Sequence, residues 1–558
     1  MGKRLYCIVM KYNILQTNYD KPFIERLLEI RQIQDGSQFF QPDFSNSRRD
    51  PFDLNDMESA VDTLIKAMKK RKKLVIFGDY DVDGITASYC LYQFFYKFLN
   101  YENVEIKYPS RQKDGYGLKT WHLDEMKEAG AELVITVDNG ITSIEEAKYA
   151  KKIGLDLIIT DHHHPLDEIP EAIAVVNPQI SPNYSFKGLA GVGVAFKVIM
   201  AMLTRSKMTK EKKNQIFNYF LPVVAIGTVA DIVPLIDENR WIVKRGLEMM
   251  NYEKDKIPVS LKGFLESLSL RENIDTYHIG FQIGPRINAG GRIASPEDSL
   301  QVLLTEGDAQ KPYLEAINTI NGERQEMQAE MLGIAEEMVD LQRKILIAAS
   351  DEFHEGVIGL VAGRLSEKYH KPSMIFKKDT EKGTASASLR GSDYLNVIEM
   401  IMEHRDLLER FGGHKGAGGL TVRLEKLDEL CENITNRCEK NIRDEDMGKM
   451  LLVDTQIFLS DWNDENLKKL DIFAPFGEGN QEPLFLFEGL KIVSSKKIGK
   501  NEKHLKVQVM RGETCFNVVM RGKGEMADEI AGEISLIGKV RRDGFNGGWC
   551  VEGVEIVG

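Results

Sequence analysis

The chain has 558 residues and a formal net charge of −12, so it is too long for one hydrophobic core and several domains are expected. It lacks an uncharged apolar run of about 18 residues and a signal-like N-terminal stretch, so neither a membrane span nor secretion is expected and the expected location is the cytoplasm. The acidic balance means that a nucleic-acid partner would need a local basic groove.

Between about residues 72 and 177, short apolar runs alternate with amphipathic stretches. This alternation is typical of βαβ units. We predict strands at 73–77, 104–108, 133–137, 157–160 and 174–176, with helices between them. The fold class is therefore predicted to be α/β, with a doubly wound parallel sheet.

Three further regions follow this sheet. Helical spacing of apolar residues predicts a long connecting helix at 309–343. A smaller α/β domain is then predicted from a strand at 345–349, a helix at 357–369, a strand at 373–376 and a glycine-rich stretch at 411–419. Strands at 484–492, 504–510, 515–520, 534–540 and 549–556 predict a barrel of the OB type.

The predicted domain division has five parts. They are an N-terminal extension at 1–50, a catalytic domain at 51–305, the connecting helix at 306–343, the smaller α/β domain at 344–445 and the OB-type domain at 446–558. The six cysteines are scattered along these regions and are expected to be reduced thiols.

Three apolar runs of the predicted parallel sheet lead directly into aspartate. These residues are Asp79, Asp138 and Asp161. The carboxyl ends of neighbouring parallel strands converge on one crevice, so the three side chains are expected to meet although they are far apart in the sequence.

More residues of metal-ligand type surround these aspartates. Residues 79–83 read Asp-Tyr-Asp-Val-Asp, and residues 161–164 read Asp-His-His-His. A strand-like run at 223–230 leads to Asp231. Each aspartate alone could be a helix cap or a turn residue, but together with the imidazoles they predict a divalent-metal site. Imidazole among the carboxylates favours Mn²⁺, with Mg²⁺ as a substitute.

The glycine-rich segment 412–419 lacks the ending of a Walker loop, so nucleoside triphosphate binding is not indicated. Its backbone amides can approach phosphate oxygens, and His414 can donate to a phosphate or leaving group. A turn with a surface histidine is the alternative. Arg111, Arg286 and Arg390 lie in loop-like sequence, where each can bind phosphate or be solvated.

A basic stretch at 491–511 has seven Lys and Arg residues against one acid, Glu502. On an OB-type barrel such charges can follow a nucleic-acid backbone while a nearby ring stacks on bases. Lys496 and Lys497 are the candidate contacts, and a merely solvated face is the alternative.

Taken together, these motifs resemble the RecJ exonucleases of the DHH phosphoesterase superfamily. Four motifs occur in that superfamily's order, at 79–84, 138–140, 161–163 and 231. Further similar stretches lie at 50–57, 110–118, 284–293, 385–392, 411–419 and 474–480.

The resemblance implies a role for each candidate residue. The ligands of two metal ions would be Asp79, Asp81, Asp138, His162 and Asp231. The residues that complete or orient the site would be Asp83, Asp161 and His163. The phosphate-binding motif of the second domain would include Gly412, Gly413 and His414. The pocket for a terminal 5′ phosphate would contain Arg111, Tyr116, Arg286, Ser388 and Arg390.

The resemblance also implies the activity: hydrolysis of single-stranded DNA from 5′ to 3′ with release of mononucleotides, in repair and recombination. Single-stranded DNA is the expected partner, with a single-strand-binding protein and a helicase as candidate protein partners. The alternatives are a phosphodiesterase of short oligonucleotides or cyclic dinucleotides, a pyrophosphatase, and a non-catalytic single-strand-binding protein. The basic β-rich C-terminal region favours long substrates, and the complete set of motif residues favours an enzyme.

Overall fold

The computed structural model describes residues 11–34, 36–42, 49–110, 115, 117–270, 272–392, 394–448, 450–543 and 547–557. The strands are β1 Lys11–Gln16, β2 Leu74–Gly78, β3 Val104–Lys107, β4 Leu133–Val137, β5 Asp156–Thr160, β6 Ala174–Val176, β7 Leu346–Ser350, β8 Ser373–Asp379, β9 Thr384–Arg390, β10 Leu408–Gly413, β11 Ala417–Arg423, β12 Met450–Gln456, β13 Phe485–Ile498, β14 His504–Arg511, β15 Thr514–Met520, β16 Glu533–Arg542 and β17 Trp549–Ile556.

The helices are α1 Phe23–Ile30, α2 Gly36–Phe40, α3 Met57–Lys69, α4 Val82–Gln93, α5 Thr120–Glu128, α6 Ile144–Lys152, α7 Gly191–Arg205, α8 Lys210–Ala230, α9 Asp237–Tyr252, α10 Val259–Ser267, α11 Thr276–His278, α12 Gly284–Ile293, α13 Glu297–Leu304, α14 Lys311–Met338, α15 Glu355–Tyr369, α16 Val397–Met402, α17 Leu427–Asn441 and α18 Asp464–Ile472. None of the described helices has the length and apolar character that a membrane crossing requires.

The chain divides into two compact units. The central unit is Arg48–Gly448, and the terminal unit combines Met1–Ser47 with Lys449–Gly558.

The first sheet of the central unit is fully parallel, with the order β3-β2-β4-β5-β6. Strands β2 and β4 are buried at every position because helices cover both faces of the sheet. In β2, Leu74 and Ile76 pack into one core while Val75 and Phe77 pack into the other. The predicted doubly wound sheet is confirmed, and the strand order reverses between β2 and β4, where ligand crevices form in such folds.

The second sheet of the central unit has the order β10-β11-β9-β8-β7. It follows the predicted long helix, which is the 28-residue α14.

Three elements of the central unit differ from the prediction. The run 223–230 is the end of helix α8 rather than a strand, since a short, fully buried apolar run has the same pattern in either element. Arg286 lies in helix α12 and Arg390 ends strand β9, so neither lies in a loop.

The terminal unit contains all five predicted C-terminal strands. They pair in the order β13-β14-β15-β17-β16, and β13 also pairs with β16. The described N-terminal residues belong to this unit, because β1 pairs in parallel with β12 and the buried Arg26 forms an ion pair of 2.6 Å with Asp461. Two chain segments distant in sequence therefore build one core.

Candidate metal centre and substrate cleft

Four of the predicted site residues gather at the carboxyl edge of the parallel sheet. Asp79 follows β2, Asp138 follows β4, and Asp161 and His162 follow β5. The strand order places the ends of β2, β4 and β5 side by side, which explains why residues so far apart in sequence share one crevice.

Helix ends supply the remaining carboxylates. Asp81 caps the N-terminus of α4 and accepts a hydrogen bond of 3.0 Å from the backbone N–H of Gly84. Asp83 lies in the first turn of the same helix. Asp231 caps the C-terminus of α8. The next residue, Ile232, is 72% exposed and has a φ of 60°, a strained conformation for a β-branched residue.

Distances within the crevice are short. The His162 Nε2 atom lies 3.2 Å from Asp138 Oδ1, 3.6 Å from Asp231 Oδ2 and 3.9 Å from Asp83 Oδ2. Potential ligand atoms of Asp79, Asp81 and Asp138 also lie within 4.8 Å of one another. All five predicted metal ligands therefore belong to one connected cluster.

Backbone geometry fixes the positions of Asp138 and Asp83. Asp138 has a φ of 61°, a left-handed conformation that aspartate tolerates better than most residues. The N-terminus of α7 approaches it so closely that a Cβ atom on Gly191 would lie 2.5 Å from the Asp138 Cβ. Asp83 accepts hydrogen bonds of 2.6 and 2.8 Å from the N–H groups of Gly191 and Val192, where the helix dipole favours an anion.

Asp161 has its oxygens occupied by protein donors. It accepts hydrogen bonds from the backbone N–H groups of Ile141 (2.9 Å) and His162 (2.7 Å), and its Oδ1 lies 2.7 Å from His163 Nδ1. Burial alone would raise the pKa of Asp161, but the hydrogen bond and charge of His163 lower it. Burial alone would lower the pKa of His163, but the hydrogen bond and charge of Asp161 raise it to about 9. The pair is suited to orienting His162.

The cluster carries unfavourable charge in the absence of a cation. Burial, reinforced by the neighbouring carboxylates, raises the pKa of Asp138 and Asp231 well above the usual range, and burial together with Asp81 raises the pKa of Asp83 to about 7. Burial, followed by the charge of His163, lowers the pKa of His162 to about 4, so its imidazole is neutral. A neutral imidazole is the form that binds metals.

Two buried atoms also indicate that a cation fits in the crevice. His162 Nε2 and Asp231 Oδ2 have no hydrogen-bond partner among the described residues. A buried polar atom without a partner costs about 1–3 kcal/mol, and a cation between these groups would remove that cost. The carboxylate and imidazole donors thus fit a divalent cation such as Mn²⁺ or Mg²⁺.

A cavity of about 410 Å³ lies between the first and second sheets of the central unit. The lining residues with polar side chains include Tyr80, Arg292, Glu355, Ser386, Ser388, Arg390, Arg410 and Thr421. Tyr80 stands between Asp79 and Asp81, so the cavity adjoins the metal cluster. The cationic wall suits a phosphate group.

The other predicted substrate contacts are placed as follows. Gly412 and Gly413 end strand β10, and His414 lies in the turn to β11, where its Nδ1 accepts a hydrogen bond of 3.2 Å from Gly416 N–H. Arg286 donates to Asn318 Oδ1 (2.9 Å) and is not among the described residues that line the cavity. Arg111 and Tyr116 lie outside the described residues.

Sequence reasoning missed Arg292 and Arg410 as cavity residues. Arg292 lies within the matching stretch 284–293, so the sequence shows its motif but does not show that it lines the cavity. Arg410 immediately precedes the glycine-rich segment, and only the strand pairing of Arg410 with Thr421 brings it to the cavity wall.

The predicted basic contacts lie in the terminal unit. Lys497 Nζ forms an ion pair of 2.6 Å with Asp528, which neutralises its charge. Lys496 lies directly opposite Lys506 on the neighbouring strand. Like charges in this position are destabilising unless an anion lies between them. Lys496 and Lys506 thus present two like charges on neighbouring strands, whereas Lys497 already has an acidic partner.

The crevice, the adjoining cavity and the glycine-rich hairpin of β10 and β11 define a metal-dependent phosphoesterase of the DHH class. The description "DHH family, N-terminal domain" matches residues 73–228, "DHHA1 domain" matches 342–440, and "RecJ OB domain" matches 453–552.

Known proteins identify the family more closely. "Single-stranded-DNA-specific exonuclease RecJ" of Haemophilus influenzae is 31% identical over 504 residues, which cover 87% of this chain and 86% of that protein. The chain belongs to the RecJ family. RecJ of Bacillus subtilis is 35% identical over 89% of this chain, which spans only 62% of that longer protein. The crystal structure of Thermus thermophilus RecJ in complex with Mn²⁺ is 25% identical, with a TM-score of 0.81 over 96% of this chain and 75% of that one.

Proposed function

We propose that the chain is a single-stranded-DNA-specific exonuclease that removes mononucleotides from the 5′ end. The observation that carries this proposal is the arrangement of the metal cluster and the cationic cavity, which adjoin at Tyr80. A cavity of about 410 Å³ is at the small end of the range for ligand sites, which suits one terminal nucleotide rather than a duplex. The Mn²⁺ complex of the Thermus relative and the single-stranded DNA named for the H. influenzae relative support the proposed activity.

The distances in the crevice support the ligand roles that the family resemblance implies. Asp79, Asp81, Asp138, His162 and Asp231 would hold a pair of divalent cations, Mn²⁺ in preference to Mg²⁺. Bound cations activate a water molecule and neutralise charge on the scissile phosphate. Asp83 holds the N-terminus of α7 against Asp138, and Asp161 with His163 fixes the orientation of His162.

The cavity residues bind the substrate in this proposal. Ser388 and Arg390 of the cavity wall receive the terminal 5′ phosphate. The family resemblance adds Arg111, Tyr116 and Arg286 to this group, although Arg286 does not line the cavity. Gly412 and Gly413 leave the backbone of β10 open to the scissile phosphate. His414 is exposed and can donate to the departing nucleotide. The cellular setting, also from the family resemblance, is cytoplasmic DNA repair and recombination with a single-strand-binding protein and a helicase.

End-labelled DNA tests the activity and its direction. With Mn²⁺, a 5′-labelled single strand should release labelled mononucleotide at once, whereas a 3′-labelled strand should shorten progressively and a blunt duplex should persist. The expected direction follows from the family resemblance, and the release of single nucleotides follows from a cavity that admits one terminal nucleotide. Release of labelled mononucleotide first from the 3′ end, or cleavage confined to dinucleotides, would contradict the proposal.

The basic pair in the terminal unit gives a separate prediction. Replacing Lys496 and Lys506 with alanine should weaken binding to long single strands and reduce the slope of log affinity against log salt by about 0.7 per lost phosphate contact. Cleavage of a dinucleotide should remain nearly intact. Lys497→Ala is the matched control, because Asp528 already neutralises Lys497, and it should change the slope least. Equal losses on short and long substrates would refute a role for this strand pair.

A further inference from the structure

An exposed pair of aromatic side chains lies on the helical segment that packs against residues adjoining the metal cluster in sequence. Tyr277 is 55% exposed and Phe281 is 65% exposed, yet their rings stack with centroids 4.8 Å apart and planes inclined by 26°. Large apolar side chains this exposed are not core residues, and exposed apolar patches commonly mark binding surfaces.

The segment is continuous from α11 through a π-helical turn, Ile279–Ile283, into α12. Single π-helical turns occur frequently at functional sites. Phe281 lies within this turn, so its direction differs from that of an uninterrupted α-helix.

Contacts of α12 locate the aromatic pair relative to the metal ligands. A Cβ atom on Gly284 would lie 3.8 Å from Val82, the residue between Asp81 and Asp83, and 3.8 Å from Ala230, which precedes Asp231. Val82 N–H also donates to Asn288 Oδ1 at 2.9 Å. Phe281 therefore lies about one helical turn from the metal-binding elements.

The opposite end of α12 reaches the cavity. A Cβ atom on Gly291 would lie 2.4 Å from the carbonyl oxygen of Tyr80, and Arg292 lines the cavity wall. From Phe281 to Arg292 the helix rises by about 16 Å, at about 1.5 Å per residue. This length corresponds to on the order of five stacked bases.

We propose that Tyr277 and Phe281 form a stacking platform for the bases of the DNA strand on the 3′ side of the cleaved bond. This inference rests on the proposed function. With the terminal nucleotide held in the cavity and the scissile phosphate at the metal centre, the strand that remains leaves along α12 toward the aromatic pair. Aromatic stacking is insensitive to base identity and requires unpaired bases, so the platform favours single strands of any sequence.

Stacking has a different salt signature from phosphate contacts. Binding of a fluorescent single strand of about 20 nucleotides, longer than one OB-fold site, is measured by anisotropy in EDTA at several salt concentrations, so that no cleavage occurs. The double variant Tyr277→Ala/Phe281→Ala should bind about tenfold more weakly at every salt concentration, since one base–aromatic contact contributes about 1–3 kcal/mol. The slope against log salt should not change, because no phosphate contact is lost.

Two controls make the result specific. Tyr252→Ala removes a tyrosine of α9 that is more exposed than Tyr277, 72% against 55%, and it should leave affinity unchanged. A strand with abasic sites in place of its internal bases should bind the wild-type chain and the double variant equally. The conservative variant Tyr277→Phe/Phe281→Trp should retain wild-type affinity.

The outcomes separate this inference from the proposed function. If the wild-type chain neither binds nor degrades single strands, the proposed function fails. If the wild-type chain binds and the double variant binds equally well, or its loss persists on the abasic strand, the stacking platform alone is refuted.

Discussion

Replacing Asp138 with asparagine is expected to reduce hydrolysis of single-stranded DNA by at least about 10³-fold. Loss of a group that only supports a metal ligand costs about 10–100-fold, and loss of a ligand itself should cost more. Asp138 is shared by two of the three ligand groupings in the crevice. Its Oδ1 also lies 3.2 Å from His162 Nε2. Asparagine keeps the shape of the side chain and tolerates its φ of 61°, but it cannot supply the charge.

The same substitution should not destabilise the metal-free chain. Burial and like charges raise the pKa of Asp138 well above its usual range, so an ionised carboxylate at neutral pH opposes folding, and a neutral amide removes that penalty. Thermal unfolding without metal should therefore occur at the same or a higher temperature. The rise in unfolding temperature that Mn²⁺ gives the wild-type chain should shrink in the variant.

Asp56→Asn is the matched control. Asp56 is an exposed aspartate with a φ of 53°, and its Oδ2 accepts a hydrogen bond of 3.1 Å from Val175 N–H, away from the crevice. Asparagine there should preserve both hydrolysis and the response to Mn²⁺. Wild-type activity in Asp138→Asn, or an undiminished Mn²⁺ response, would mean that the crevice is not the metal centre.

The positions of the candidate site residues were predictable wherever a strand led into an aspartate. Strands β2 and β4 are buried at every position and β5 at its last four, and Asp79, Asp138 and Asp161 are the residues that directly follow these strands. The order of parallel strands then brings these ends together by a general rule. Asp231 was predicted as a ligand for a partly wrong reason, because its apolar run is a helix rather than a strand.

Residues whose role depends on tertiary contacts were less predictable. The partner of Lys496 depends on the register of β13 against β14, which cannot be read from composition, so the sequence did not single out Lys506 within the basic stretch. Tyr277 and Phe281 have the spacing of an ordinary core helix, and only their exposure distinguishes them. Gly191 has no side chain, so its contribution to the site is the space that it leaves.

Gly191→Ala is therefore expected to inactivate the chain although glycine bears no ligand. The added Cβ would lie 2.5 Å from the Asp138 Cβ and 2.6 Å from its Oδ1, so either the carboxylate or the start of α7 must move. Movement of α7 would also lengthen the hydrogen bond from Gly191 N–H to Asp83. A displacement of about 1 Å in a catalytic group can cost about 10²-fold in rate, and overpacking costs about 1–3 kcal/mol of stability.

The comparison with Gly193→Ala isolates this collision from the general effect of alanine in a helix. At position 193 the three atoms nearest to the new Cβ belong to the side chain of Leu189, the closest at 3.3 Å, and alanine is the better helix former, so activity and stability should be retained. Rates on single-stranded DNA at saturating Mn²⁺, with thermal unfolding in parallel, distinguish the two variants. If Gly191→Ala folded and cleaved as well as Gly193→Ala, the close approach of α7 to Asp138 could not be what positions this carboxylate.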